Sequence, residues 1–71
     1  MKDVVIRVLY YSAVCSIHEV QNENQILGFR LTPHHSTDPE NYALNLVDVI
    51  NESCLASDEK QEIFRNLGLQ G

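Results

Sequence analysis

The chain has 71 residues and a formal net charge of -5, from ten acidic and five basic side chains. Hydrophobic residues make up 44%, so the composition is that of a folding domain rather than a disordered tail. No stretch reaches the ~20 apolar residues of a membrane helix, and five scattered cations are too few for a basic nucleic-acid binder.

The N-terminal segment from Val4 to Tyr11 is rich in β-branched and aromatic residues, which suit a pleated sheet. Arg7 interrupts it, so it does not read as a signal sequence, and a cytoplasmic location is the expectation. The β pattern continues to Val20 without Gly or Pro, giving a strand region over about 3–20. That is far longer than the usual ~5–6 residues, so a sharp bend or bulge is expected near Ser12 and Ala13. The sequence leaves open whether the result is one coiled strand or two.

Asn22-Glu23-Asn24 is the next turn signal, with Asn24 suited to a left-handed conformation. It leads into a second strand region over about 25–32. A three-residue loop pairs Ile17 with Phe29 and Cys15 with Leu31, collecting Cys15, Ile17, Leu27, Phe29 and Leu31 on one face. A one-residue slip would place Ser16 and His18 there instead, which burial disfavours. Gly28 falls on the outer face, where it permits a bulge or a close backbone approach.

Pro33 closes this strand and His34-His35-Ser36 connects it to a predicted helix over about 38–54. Two helix starts compete: Thr37 as N-cap with Glu40 three residues on, or Asp38 as N-cap with Pro39 first in the helix. Ala43, Leu46, Val47, Ile50 and Cys54 supply the 3.6-residue period. A last helix is predicted over about 58–67, with Ser57 as cap and Asp58 and Glu59 in its first turn. Gly68 and Leu69 are placed for a Schellman stop. The fold class is therefore α+β: a two- or three-stranded antiparallel sheet from the N-terminal half, packed by two C-terminal helices in a single domain over 1–71.

Charge is unevenly divided. Residues 1–36 are net neutral, whereas residues 37–71 carry seven acids against Lys60 and Arg65, and so hold the whole -5. Capping accounts for Asp38, Glu40, Asp58 and Glu59. Asp48, Glu52 and Glu62 remain, and these mark a candidate acidic surface for a basic protein partner. On the sheet side, strict alternation would place Val4, Ile6, Val8 and Tyr10 in one outer row with Arg30, a candidate association face. A chain this short buries only about 60% of its unfolded surface, which favours a homo-oligomer, most simply a dimer.

Chemistry-bearing clusters are sparse. Cys15 and His18 are three apart, on opposite faces of a regular strand. Cys15 and Cys54 form no C-x-x-C and read as two buried, reduced thiols. His34 and His35, with Asp38 and the more distant His18, form the nearest approach to a metal-ligand set, but it lacks a convincing fourth ligand. Neither catalytic residues nor a cofactor are expected, since the acid pairs sit on helix faces and no Gly-rich phosphate loop is present. The expected function is a small non-enzymatic protein-binding module, acting as inhibitor, adaptor or assembly factor. Its surfaces would be the acidic helices and the apolar sheet face, with no direct contact to nucleic acid or membrane. The competing readings are a metal-dependent or metal-sensing module and an accessory subunit of a larger enzyme.

Overall fold

A computed structural model describes residues 3–34 and 37–69. Four antiparallel strands, β1 (Val4–Tyr11), β2 (Cys15–Gln21), β3 (Leu27–Pro33) and β4 (Asn41–Ala43), form a sheet in the order β1-β2-β3-β4. Two helices follow, α1 (Leu46–Asn51) and α2 (Ser57–Leu67). The α+β class expected from sequence is present, with one strand more and a shorter first helix. Among the described residues, no helix is long and apolar enough to cross a membrane.

The long N-terminal segment is two strands. Ser12 makes the bend: its backbone N–H donates to the Cys15 carbonyl at 3.0 Å and its Oγ accepts the Val14 N–H at 3.1 Å. The second hairpin loop is longer than predicted. Gln21 pairs with Leu27, and Asn22 Oδ1 accepts the N–H groups of Asn24 and Ile26 at 2.8 and 3.0 Å. Gln25, not Asn24, takes the left-handed conformation (φ 65°). Ile17 consequently faces Leu31 and Cys15 faces Pro33, two residues from the predicted register. A two-residue shift preserves which side chains share a face, so Cys15, Ile17 and Leu31 still point together into the core.

The predicted helix over 38–54 requires correction. Residues 37–40 are not helical, Asn41–Ala43 forms β4 on the free edge of β3, and the helix starts only at Leu46. Neither predicted cap forms. Glu40 instead accepts the Thr32 hydroxyl at 3.1 Å and lies 3.9 Å from Arg30. β4 is tied to α1 by the Asn41 amide, which donates to the Val49 carbonyl at 2.6 Å. Helix α2 also starts one residue early: Ala56 occupies the N-cap in place of Ser57, and Glu59 Oε1 accepts its N–H at 3.1 Å. The C-terminal stop is as predicted. Gly68 is left-handed (φ 70°), and the N–H groups of Gly68 and Leu69 donate to the carbonyls of Arg65 and Phe64.

The core lies between one sheet face and the helices, and comprises Cys15, Ile17, Leu31, Val49, Ile50, Ile63 and Phe64. On the opposite face Gly28 allows a close approach. A Cβ built there would run into Tyr42 Oη, with Cζ at 2.6 Å and Cε2 at 2.8 Å. Gly28→Ala is expected to push the tyrosine ring off the sheet and cost about 1–2 kcal/mol. The same change in a Tyr42→Ala background should cost a few tenths at most, as urea unfolding of the four proteins would show. Equal costs in both backgrounds would refute the ring contact.

Candidate functional site

Two surfaces take shape from this packing. The first is a cleft of about 310 Å³ where α2 faces the end of β1, lined by Tyr10, Ser12, Val14, Asp58, Glu59, Glu62 and Ile63. Helical spacing places Asp58, Glu59 and Glu62 along one side of α2, and the β1–β2 bend supplies the other wall. Its lining combines three carboxylates with apolar carbon from Tyr10, Val14 and Ile63 and, among the described residues, includes no basic side chain. Asp58 Oδ1 accepts the Glu59 N–H at 2.9 Å, while Glu62 pairs with Arg65 at 2.7 Å and accepts from Asn66. Each acid is thus held in place by its own helix and still borders the cleft.

Of the acids singled out from sequence, Glu62 lines this cleft. Asp48 sits in the first turn of α1, accepting from Asn45 at 3.3 Å, and Glu52 is the exposed residue that ends α1. Neither borders the cleft. Sequence reasoning missed Asp58 and Glu59 because capping explained them. Glu59 does accept an N-terminal N–H, so the two roles coincide in one side chain.

The second surface is the sheet face away from the helices. Two bulges in β1, between Val5 and Arg7 and between Val8 and Tyr10, break the predicted alternating row. Register now puts Val5, Val8 and Tyr11 opposite Val20, His18 and Ser16 on the open face. Val4 and Tyr10 instead face Gln21 and Ile17 on the helix side, where Tyr10 packs against the core. Ile6 occupies a bulge. The association row therefore needs correction: of Val4, Ile6, Val8, Tyr10 and Arg30, only Val8 and Arg30 share the open face by register. Val8, His18, Arg30 and Tyr42 cross all four strands on it. Arg30 is flanked by Asp3 and Glu40 at 3.8 and 3.9 Å. Among the described residues nine large hydrophobics are exposed, and five of them (Val4, Val5, Ile6, Val8, Tyr11) belong to β1.

The histidines have other work. His34 Nδ1 lies 2.9 Å from the Ser12 carbonyl, which can only accept, so Nδ1 carries the proton. In the neutral ring Nε2 then accepts the Ser16 hydroxyl at 3.2 Å, and the Tyr11 ring stands 5.1 Å away. The imidazole staples the β1–β2 bend to the end of β3. Ser16 is 4% exposed, so this serine–histidine contact is not presented to a substrate. His18 lies between Val8 and Arg30, and its Nδ1 is buried without a hydrogen-bond partner. His35 lies outside the described residues. Among those described, no three His, Cys, Asp or Glu side chains are arranged to hold a metal ion.

Cys15 is fully buried, and desolvation, reinforced by the nearby Glu59 carboxylate, pushes its thiol up to about 11. That environment suppresses the thiolate a nucleophile or metal ligand needs. Cys54, expected to be buried, is instead exposed, because α1 ends at Asn51 and leaves it outside the helix; both thiols are free. The chain matches no known family model, no curated protein and no solved structure. Its functional reading rests on these two surfaces.

Proposed function

We propose that the protein is a non-enzymatic protein-binding module that receives a basic side chain of a partner in the cleft beside α2. Such a module serves as an inhibitor, adaptor or assembly factor. The observation carrying this reading is the cleft's lining, with Asp58, Glu59 and Glu62 around apolar carbon from Tyr10, Val14 and Ile63. A Lys or Arg stem would lie along the apolar wall while its cation meets the carboxylates. The net charge of the helical half adds a long-range attraction for the same partner, strongest at low salt. The open sheet face provides the second contact surface.

A photo-crosslinking residue at Val14, on the cleft wall, tests this in the native host. Adducts to one or a few proteins are expected there, with at least tenfold less when Asp58→Lys and Glu62→Lys are combined. Crosslinking that survives the charge reversal would overturn the cleft as the docking point. Both changes lie on exposed side chains, so the variant is expected to fold.

A further inference from the structure

We propose that the open sheet face is occupied by a second copy of this chain, stacked face to face about a two-fold axis. This deepens the protein-binding reading for the sheet face alone and makes no use of the acidic cleft. Charge selects the occupant. Helices α1 and α2 with the turns at their ends carry five acids (Asp48, Glu52, Asp58, Glu59 and Glu62) against Lys60 and Arg65, a net -3 of the whole -5. Two copies meeting through their helices would oppose their acidic layers. Meeting through the open faces, they put two sheets between those layers. The spacing of packed sheets is about 10 Å, already beyond the ~8 Å Debye length of physiological salt. Among the described residues the one strong cation on the face is Arg30, which already lies beside Asp3 and Glu40 of its own chain.

Bulges select the geometry. Extending the sheet edge to edge through β1 needs a regular strand, and β1 departs from regular pairing at two points. Between them the bulges turn Val8 to the open face in place of Arg7 and Leu9, so that it joins Val5 and Tyr11 there, the three being 55%, 45% and 75% exposed. Area sets the strength. Strands β1 to β3 span about 25 Å by 14 Å and the three-residue β4 adds about 10 Å by 5 Å, a footprint of roughly 400 Å². This falls below the ~800 Å² per partner of a standard stable interface, so the dimer is expected to be weak and reversible.

Sedimentation equilibrium from about 10 µM to about 1 mM should show a shift from 8.1 kDa to twice that mass. Raising NaCl from about 50 to about 500 mM should leave the dimer intact or strengthen it, because the contact is apolar and the remaining charge repels. Val8→Lys is expected to weaken association at least tenfold, and Tyr11→Lys likewise. Leu27→Lys, at a 51% exposed residue paired with Gln21 on the helix side, should leave it unchanged. Thermal melts of each variant at monomer concentrations confirm that the fold persists. A constant mass of 8.1 kDa, dissociation by salt, or a dimer indifferent to both face variants would overturn the proposal. None of these results bears on crosslinking in the cleft.

Discussion

Leu31→Ala is expected to cost about 3–4 kcal/mol of stability and to lower the melting temperature by roughly 15–25 °C. Leu31 is fully buried and sits on β3 opposite Ile17, with Asn41 of β4 on its other side. It belongs to the cluster that includes Val49 and Ile50 of α1. Few other residues can absorb the loss, because this core has seven members. A domain of 71 residues typically has about 4–11 kcal/mol in total, so the variant stands near the limit of folding. Ile26→Ala, in the exposed hairpin loop, should change stability by about 0.5 kcal/mol or less. Urea unfolding followed by circular dichroism compares the two. A cost below about 1 kcal/mol at Leu31 would mean that α1 does not seal this face.

Alkaline solution should destabilise the fold through Cys15. Its thiol is held at about 11 in the folded chain against an ordinary 9.0, chiefly by desolvation and secondarily by Glu59. Above pH 9 the unfolded chain releases this proton while the folded chain retains it. The folded state then binds more protons, and stability must fall as pH rises. The contribution is complete below pH 9, declines by about 1.4 kcal/mol per unit up to pH 11, and levels off beyond. Cys15→Ala is the control, and the difference between the two pH profiles isolates the thiol. At pH 8 a thiol reagent should label Cys54 at once and Cys15 only on unfolding. Parallel pH profiles for wild type and Cys15→Ala, or rapid labelling of both thiols, would show that Cys15 is not shielded.

How much of this was legible in the residues depended on how local the deciding interactions were. The Gly68–Leu69 stop was readable because a left-handed glycine after an apolar helix face needs nothing distant. The core faces of β2 and β3 were readable for a different reason. Burial fixes parity, and the Asn22 loop altered the register by two, which leaves parity untouched. The stretch over 38–45 was misread because its pattern fits a helix, whereas the free edge of β3 and the space above Gly28 claim it as a strand. Asn45 directly before Leu46-Val47 was the local hint of the true helix start.

Of the site, Glu62 was found, and Asp58 and Glu59 were passed over as caps. The opposite wall, Tyr10, Ser12 and Val14, lies more than forty residues away in sequence and meets α2 only through the fold. The outer row of β1 failed for a backbone reason. Each bulge advances the strand by one unpaired residue, so the open-face positions fall every third residue instead of every second.

The hydrogen bond from Asn41 to the Val49 carbonyl has a consequence for how the molecule opens. β4 has three residues and α1 has six, and neither length is stable alone. Joined through one part-buried amide, they share a single local unfolding equilibrium, with the strand's pairing to β3 and the helix's packing lost together. Residues 41–51 therefore behave as one hinged cover over the Ile17–Leu31 pair rather than as a strand and a helix in series.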